Sequence, residues 1–292
     1  MSDSVAVGLV GAGPWAGMVH APTLAAGPAT RLAGVWARRA EASAELAGRY
    51  GAPAFERIEE LFDACEAVAF SVPPDVQAGL AVRAARAGKA VLLEKPLAMD
   101  LDGARRTAEA VAEAGVVSQM VFTLRYSRAA RAFLARVRDL DPFGGYGAFV
   151  SSALSGGPFA TPWRREKGAL LDLGPHIVDL LDASLGRVAG VRAHGDPLGW
   201  LGLTLEHEGG AVSQASVSMA GNGELPPAHV EVYGRNGYAR LDWSQLGDDA
   251  FATMVAEFAA AVRGGPAPAL DAAHGLRIQE ILASAEAQLA AG

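Results

Sequence analysis

The sequence is short of cysteine, of long apolar runs and of excess positive charge, and each shortage excludes a class of protein. Cys65 is the single cysteine among 292 residues, which excludes an intrachain disulfide and a cysteine-based zinc site. No stretch of about 18 uninterrupted apolar residues occurs, so we expect no membrane span. The formal net charge is −7, which gives no reason to expect nucleic acid or an anionic membrane as a partner.

The beginning of the sequence offers no targeting signal. Only Met1–Ser4 precede a short apolar run, and no basic region comes before it. A single cysteine also fits a reducing compartment. We therefore expect a cytoplasmic protein. Hydrophobic residues make up 51% of the chain, which is enough to form a buried core without disulfides or structural metal sites.

The first 120 residues alternate between two patterns. Short, continuous apolar runs are typical of buried parallel strands, and the segments between them have helical periodicity. The predicted strands are Val5–Val10, Arg31–Trp36, Ala67–Val72, Ala90–Leu93 and Val116–Phe122, and the predicted helices are Trp15–Ala26, Ala40–Tyr50, Val76–Ala87 and Leu101–Ala114. Repeated βα units predict an α/β fold, with a doubly wound parallel sheet of the Rossmann type over residues 1–122.

From residue 123 onward, strand patterns follow one another through glycine-containing turns. Strands joined as hairpins predict a large, mostly antiparallel open sheet, and we assign residues 123–292 to a C-terminal α+β domain. Asp141-Pro142 and Gly144-Gly145 are expected to end the helix before them and to separate it from the sheet. The predicted strands are Gly147–Leu154, Val188–Ala193, Trp200–Glu206, Ala211–Met219, His229–Tyr233 and Tyr238–Asp242, and the predicted helices are Arg128–Arg138, Leu170–Leu185, Ala250–Arg263 and Ala272–Ala291.

The first predicted strand runs directly into a glycine loop. Gly-x-Gly between a strand and a helix is typical of the turn that holds a dinucleotide pyrophosphate. Gly11 permits the tight turn, Gly13 lets the backbone approach the phosphates, and Ala16 is small enough for close helix–strand packing. We therefore predict cofactor contacts at Gly11, Gly13, Pro14, Trp15 and Ala16; the alternative is a tight turn with no ligand.

The second predicted strand ends at Ala37-Arg38-Arg39. NAD-binding domains usually carry an acid here, about 20 residues after the glycine loop, to hold the ribose hydroxyls. A small residue followed by two guanidinium groups suits a 2′-phosphate instead, because arginine forms two parallel bonds to such a group. Arg38 and Arg39 therefore favour NADP, with NAD as the alternative. A solvated arginine pair at a helix start is the other interpretation.

The fourth predicted strand ends at Glu94-Lys95-Pro96. A lysine at the carboxyl end of a parallel strand lies in the crevice where ligands bind in such sheets. About 5% of X-Pro bonds are cis, so the sequence alone does not assign that geometry to Lys95-Pro96. A surface lysine at a strand end is the alternative.

Motifs along nearly the whole chain carry a family resemblance. Besides the glycine loop they are His20-Ala21-Pro22, Ser71-Val72-Pro73, the run from Ala87 to Leu97, Trp163-Arg164 and the run from Gly168 to Asp179. Together they resemble the glucose–fructose oxidoreductase/inositol dehydrogenase/MocA family. The sequence departs from that family where Pro74-Asp75 and Gln77 replace a frequent Asn and His, and where Gly168 stands without a second glycine.

The resemblance implies a nicotinamide bound over Glu94-Lys95-Pro96, with a cis bond before Pro96. It also implies that Lys95 touches both cofactor and substrate, and that Asp172 and His176 bind the substrate and transfer its proton. Further cofactor contacts are implied at Ser71, Pro73, Trp163 and Arg164. The family's substrate domain, a large open sheet, leads us to expect a homodimer or homotetramer formed through the C-terminal sheet.

The predicted chemistry needs three side chains. Oxidising a secondary alcohol removes the hydroxyl proton while hydride leaves carbon, and histidine is the side chain best suited to accept and return such a proton, so His176 suits this transfer. Lys95 would stabilise charge on the oxygen, and Asp172 would orient a second hydroxyl or raise the basicity of His176. Because Asp172, His176 and Asp179 have no cysteine or second histidine nearby, we expect no metal there.

Phe122, Arg125 and Tyr126 follow the fifth strand, where substrate contacts and a solvated helix start are both consistent with the sequence. We expect an NADP-dependent oxidoreductase acting on an alcohol or ketone of a sugar, cyclitol or related polyol. The enzymatic alternatives are reduction of a non-sugar carbonyl or imine, and glycoside cleavage through transient redox. A non-catalytic NADP sensor and a scaffold protein are the alternatives outside catalysis.

Overall fold

The computed structural model describes residues 4–157, 159–247 and 249–291. Two compact units account for these residues. The first contains the chain up to Val121 together with Phe251–Arg277, and the second contains Phe122–Ala250 together with the residues from Ile278 onward. The sequence-based division at residue 122 differs from this one by a single residue at that boundary and by the segment Phe251–Arg277, which packs with the first unit.

The first unit is built on a five-stranded parallel sheet. Its strands are β1 (Val5–Val10), β2 (Thr30–Trp36), β3 (Ala67–Phe70), β4 (Ala90–Leu93) and β5 (Ser118–Met120). They lie in the order β2-β1-β3-β4-β5. Every residue of β1, β3 and β4 is buried, as a sheet covered on both faces requires. The strand order reverses beside β1, which places the ligand crevice at the carboxyl ends of β1 and β3.

Helices connect these strands, as the sequence predicts. The predicted helix Trp15–Ala26 is a π-helical turn over Ala16–His20 that continues into a short α-helix. The helix Ile58–Asp63 was not expected, because six residues give too little periodicity to recognise. The α-helices of this part are α1 (Ala21–Ala25), α2 (Ala40–Gly48), α3 (Ile58–Asp63), α4 (Pro74–Arg86) and α5 (Leu101–Ala114).

The second unit contains a six-stranded mixed sheet. Its strands are β6 (Pro142–Val150), β7 (Val188–Gly195), β8 (Leu201–His207), β9 (Val212–Ser218), β10 (His229–Gly234) and β11 (Gly237–Asp242). They lie in the order β11-β10-β6-β9-β8-β7. All neighbouring pairs are antiparallel except β6 and β9, so the prediction of a mostly antiparallel sheet is confirmed.

Strand β6 corrects the sequence interpretation of Gly144-Gly145. The pair lies inside the strand and does not separate it from the preceding helix. A Cβ atom on Gly145 would lie 2.5 Å from the carbonyl oxygen of Glu231 on β10, so the glycine serves a close approach between strands. A glycine in a turn and a glycine in such a contact have the same sequence signal.

The second unit also contains α6 (Arg128–Arg138), which precedes β6, and α7 (Pro162–Asp172) and α8 (Gly174–Leu185), which lie between β6 and β7 in the chain. The single helix predicted over Leu170–Leu185 is wrong in this respect, because the chain breaks between α7 and α8. Pro175 lies in the first turn of α8, the helical position that proline tolerates best. Helix α8 covers one face of the sheet, where a Cβ atom on Gly147 would meet Ile177 at 3.0 Å.

Two helices end the chain, α9 (Asp249–Val262) and α10 (Ala272–Ala291). Long-range hydrogen bonds connect α9 and the segment that follows it to β5 of the first unit. Gln119 donates through Nε2 to the Met254 carbonyl at 2.8 Å, and the Met120 amide donates to the Leu270 carbonyl at 2.7 Å. In the described ranges, no helix has both the length and the hydrophobicity that crossing a bilayer would need.

Candidate active site

The glycine loop follows β1, and its first glycine is required by the fold. Gly11 has a φ of +120°, a region that residues with a Cβ rarely adopt. A Cβ atom at Gly11 would lie 2.2 Å from the carbonyl oxygen of Ser71, the residue that follows β3. The loop backbone therefore packs directly on the end of the neighbouring strand.

Gly13 has the opposite environment. Apart from Gly13 itself and its chain neighbours Ala12 and Pro14, no heavy atom of the described residues lies within 4 Å of the position that a Cβ atom would occupy. Neither backbone conformation nor packing requires a glycine here, so its small size serves the space beside it. Ala16, three residues later, is fully buried, which fits the expected packing role of a small residue.

A cleft of about 420 Å³ opens beside this loop. It brings together six of the predicted cofactor residues, from the carboxyl ends of β1, β2 and β3. The lining residues are Gly11, Ala12, Gly13, Trp36, Ala37, Arg38, Arg39, Ala42, Ser71, Val72, Pro73 and Val76. Pro14 lines an adjoining depression that also includes Arg39. This combination of backbone, small apolar and basic groups suits the phosphates and ribose of a dinucleotide.

The charge at the outer end of the cleft is positive. Arg38 and Arg39 are both exposed, and Ala37 occupies the position where an acid would bind ribose hydroxyls. No carboxylate is among the residues that line the cleft. Arg39 is also the N-cap of α2, and its side chain makes no capping bond there. An anion at this point would meet two guanidinium groups and the positive end of a helix.

The Glu94 side chain joins the glycine loop to the turn after β4. Its Oε1 atom accepts a hydrogen bond from Trp15 Nε1 at 2.8 Å and lies 2.8 Å from His20 Nε2. Its Oε2 atom accepts from the Lys95 amide at 3.2 Å. His20 is 2% exposed, so this hydrogen-bond network is largely buried. The Trp15 ring packs edge-on against Phe251 of the same unit, with centroids 5.9 Å apart. The indole N–H is thus directed at Glu94.

The turn itself contains a cis peptide bond between Lys95 and Pro96. The family resemblance implied this geometry. Lys95 is half-buried, and Pro96 and Leu97 are buried. The backbone of the turn is held by Gln77, from the first turn of α4, whose Oε1 accepts from the Glu94 amide at 2.9 Å. The sequence marked Gln77 only as a departure from the family pattern; its partners lie 17 to 20 residues away in the chain.

In the second unit, Asp172 and His176 lie on two different helices. Asp172 is the last residue of α7, and His176 lies in the first turn of α8. Asp172 is 5% exposed, and its Oδ2 atom accepts a hydrogen bond from Arg164 Nε at 2.8 Å. The Arg164 guanidinium also stacks over the Trp163 ring, 4.5 Å from its centroid. Trp163, Arg164 and Asp172 therefore form one contiguous group.

Gly168 shapes α7 between Arg164 and Asp172. Its φ of +65° and ψ of −156° interrupt the helix. A Cβ atom there would lie 2.1 Å from the Pro197 carbonyl oxygen, and the Ala169 amide donates to that same oxygen at 2.8 Å. One glycine is sufficient for this kink, although the family pattern often has two.

The remaining substrate-binding predictions fall on residues of differing exposure. Phe122 and Tyr126 are 2% and 3% exposed, while Arg125 is partly exposed. Arg125 Nη1 donates to Asp179 Oδ1 at 2.8 Å, which places a buried ion pair three residues along α8 from His176. The His176 ring lies 6.3 Å from the Phe149 ring of β6. No group of three or more His, Cys, Asp or Glu side chains is arranged to hold a metal within the described residues.

Comparison with known proteins identifies the family. Residues 5–122 match the Gfo/Idh/MocA oxidoreductase family with its NAD-binding Rossmann fold, and residues 146–240 match that family's C-terminal domain. The chain belongs to the Gfo/Idh/MocA oxidoreductase family. The family membership and the fold class that the sequence predicted are both confirmed.

Curated relatives match only in part. An inositol 2-dehydrogenase of Rubrobacter xylanophilus is 38% identical over 129 residues, which cover 43% of this chain and 37% of that protein. A dTDP-3,4-didehydro-2,6-dideoxy-alpha-D-glucose 3-reductase of Streptomyces violaceoruber is 28% identical over 250 residues, which cover 80% of this chain and 67% of the relative. The first alignment thus spans well under half of the relative's length.

Among solved structures, GenD2 from gentamicin A biosynthesis, in complex with NAD, superposes with a TM-score of 0.86. It is 25% identical, and the match covers 98% of this chain and 94% of that one. The fold of the Gfo/Idh/MocA chain therefore extends over both units.

Proposed function

We propose that this Gfo/Idh/MocA chain is an NAD(P)-dependent oxidoreductase. It transfers hydride between a nicotinamide cofactor and a secondary alcohol or ketone of a sugar, cyclitol or related polyol. The observation that carries the proposal is the space beside Gly13, in a cleft that also contains Gly11, Ser71 and Pro73. A backbone cradle that a Cβ atom would fill is what a pyrophosphate needs. The relatives named as inositol and sugar enzymes support the substrate class.

NADP is the cofactor that we propose, on the charge of the cleft. Arg38 and Arg39 line the cleft and would bind a 2′-phosphate of the adenosine ribose, and Ala37 supplies no competing carboxylate. Arg38→Ala should weaken binding of NADPH by about 10- to 150-fold and leave NADH binding nearly unchanged, since a charge-assisted bond contributes about 1.5–3 kcal/mol. Equal losses for the two cofactors, measured by fluorescence titration, would exclude the 2′-phosphate assignment. Arg49→Ala, which removes another exposed arginine near the loop, is the matched control.

The nicotinamide ring supplies the hydride chemistry when the cofactor is bound. The chain's residues would deal with the oxygen and its proton. Lys95, half-buried and set in the Glu94–Pro96 turn, would donate a hydrogen bond to the substrate oxygen and stabilise the charge that develops there. His176 would exchange the hydroxyl proton, which suits a group that titrates near neutral pH.

Asp172 would bind a second substrate hydroxyl through its carboxylate. Its position is held by Arg164, which is itself stacked on Trp163, so a change at either residue should disturb Asp172. Cofactor contacts of Trp163 and Arg164, and substrate contacts of Phe122, Arg125 and Tyr126, stay part of the proposal. Trp15 would contribute through Glu94, the partner of its indole N–H.

A substrate panel tests the activity. Purified protein is mixed with NADPH or NADP and a broad set of sugars, polyols and their keto forms, and cofactor absorbance is followed. We expect turnover with at least one member, lost in Lys95→Ala. A protein that binds NADPH but turns over no compound in the panel would be a sensor, and one that binds neither dinucleotide would be a scaffold. Arg86→Ala, a change at an exposed residue near the end of α4, is the control.

A second copy of this chain is the partner that we propose for the outer face of the second unit's sheet. Tyr146, Tyr233 and Tyr238 are 39%, 40% and 62% exposed there. The rings of Tyr233 and Tyr238 stack 5.9 Å apart, and a hydrogen bond to Glu231 raises the pKa of Tyr233 to about 12. Neutral, preordered aromatics on an open sheet suit a homo-oligomer interface.

Sedimentation measurements test this assembly. Tyr233→Ser combined with Tyr238→Ser should convert a dimer or tetramer into smaller species, while Met18→Ser, 61% exposed in the other unit, should not. A monomeric wild-type protein would exclude the proposal. We also propose a cytoplasmic location, because a single free cysteine, Cys65, fits a reducing compartment.

A further inference from the structure

Gln77 is a fully buried polar residue whose side chain bonds to the turn after β4. It lies in the first turn of α4 and is 0% exposed. Its Oε1 atom accepts from the Glu94 amide at 2.9 Å, and its Nε2 atom donates to the Glu94 carbonyl at 2.7 Å. The same Nε2 lies 3.1 Å from the Leu97 carbonyl oxygen and 3.3 Å from that of Pro96. All four contacts fall on the backbone that surrounds Lys95.

The chemistry of the carboxamide suits this task. One carboxamide offers an acceptor and two donors at fixed spacing, so it can bond both the amide and the carbonyl of Glu94, as the backbone of a neighbouring strand would. The turn has left β4, so its backbone groups need another partner. Buried backbone groups left without hydrogen bonds are costly, which gives the Gln77 contacts a strong hold on the turn.

The contacts also lie on both sides of Lys95. Glu94 precedes it, and Pro96 and Leu97 follow it, across the cis peptide bond. With the backbone held at both ends, the direction of the Lys95 Cα–Cβ bond is determined. The Glu94 side chain adds a third hold through its bond to the Lys95 amide at 3.2 Å.

We propose that Gln77 is a positioning residue for Lys95, a role that rests on the function proposed above. It touches neither substrate nor cofactor in this proposal. It holds the Glu94–Leu97 turn so that the ammonium group of Lys95 reaches the reacting oxygen. Gln77 is not among the residues that line the cleft at Gly13 and Arg38, so its loss should affect that cleft less than it affects Lys95.

Gln77→Met is the main test, because methionine has a similar length but neither the donors nor the acceptor. We expect kcat to fall on the order of 100-fold, the effect of a misplacement of about 1 Å at a reacting group. The Kd for NADPH should change far less than kcat, because the contacts proposed at Gly13 and Arg38 lie outside this turn. Thr107→Val is the matched control: Thr107 is equally buried, in neighbouring α5, and its Oγ1 donates to the Gly103 carbonyl at 2.8 Å. That variant should lose comparable stability and keep its kcat.

A second measurement needs no substrate. Lys95 is labelled with an amine-reactive anhydride, and its rate of modification is followed by mass spectrometry with and without NADPH. In wild type, NADPH should protect Lys95; in Gln77→Met, the unprotected rate should change several-fold and the protection should weaken. If Gln77→Met fails to fold, Gln77→Asn, which keeps the carboxamide but shortens its reach, takes its place with the same expectation.

The outcomes separate the two proposals. Wild-type Lys95 that NADPH does not protect, in a protein without turnover, contradicts the proposed function, and the labelling rate without cofactor still decides the role of Gln77. A Gln77→Met variant with wild-type kcat and wild-type labelling of Lys95 overturns the positioning role while leaving the proposed function in place. Equal losses of kcat in Gln77→Met and Thr107→Val would reduce the effect to general destabilisation and would also overturn it.

Discussion

The two glycines of the loop give the sharpest test, because the same substitution should lower stability at Gly11 and should weaken NADPH binding at Gly13. Gly11→Ala forces a Cβ onto a backbone with φ +120° and to within 2.2 Å of the Ser71 carbonyl oxygen. Strain at such a φ costs about 1–3 kcal/mol, and overpacking costs about 1–3 kcal/mol more. We expect unfolding to become easier by about 2–6 kcal/mol in total, a Tm lower by roughly 5–15 °C.

Gly13→Ala should leave the fold intact. Beyond its chain neighbours, a Cβ there meets no heavy atom of the described residues within 4 Å, so the free energy of unfolding should change by less than about 0.5 kcal/mol. The added methyl group would occupy the space that we assign to the pyrophosphate. A clash of about 1–3 kcal/mol corresponds to a Kd for NADPH that rises roughly 5- to 150-fold.

Thermal unfolding and NADPH titration of both variants form the assay. We expect a destabilised Gly11→Ala and a stable Gly13→Ala that binds NADPH poorly. Gly13→Ala with wild-type affinity for NADPH would refute the placement of the pyrophosphate. Loss of stability in Gly13→Ala equal to that in Gly11→Ala would refute the claim that the second glycine is free of packing constraints.

Two further variants probe each unit separately. Hydrogen bonds from Arg263 and from the Ala6 amide hold the pKa of Glu66 at about 2, below its ordinary 4.5. The stabilisation from the ionised Glu66 is therefore present above about pH 4.5 and is lost as the pH falls toward 2. The Tm difference between wild type and Glu66→Gln should shrink over that range, and a constant difference would contradict this prediction. Gly168→Ala should destabilise the second unit by about 2 kcal/mol or more, since its Cβ would meet Pro197 at 2.1 Å, and it should lower kcat by displacing Asp172; an unchanged Tm in calorimetry would contradict this.

The elements that the sequence predicted best carry their own boundary signals. Helix α5 begins after Asp100, whose side chain accepts from the Gly103 amide at 2.6 Å, and ends at Gly115 with φ +62°. An N-cap aspartate and a glycine at the helix C-terminus are local signals that can be recognised in the sequence. The assignment of Phe251–Arg277 to the first unit depends instead on hydrogen bonds to Gln119 and Met120, more than 130 residues away, which no local pattern reports.

The same distinction applies to the site. Gly11, Arg38 and Ser71 could be predicted to converge because the carboxyl ends of neighbouring parallel strands meet at one edge of a sheet. Trp15 was predicted as a cofactor contact from its place in the loop, yet its indole N–H bonds to Glu94, 79 residues away. Gln77 carried no positive signal, since a glutamine in a helix reads as a solvated side chain until its partners are known.

We propose that Lys95 stabilises the charge on the substrate oxygen during a hydride transfer that uses NADPH. The most direct measurement is turnover of NADPH or NADP by wild-type and Lys95→Ala proteins across the sugar and polyol panel, with NADPH affinity measured for both. The account predicts turnover by wild type, loss of turnover in Lys95→Ala, and a folded variant that still binds NADPH. Turnover by Lys95→Ala near the wild-type rate would contradict it.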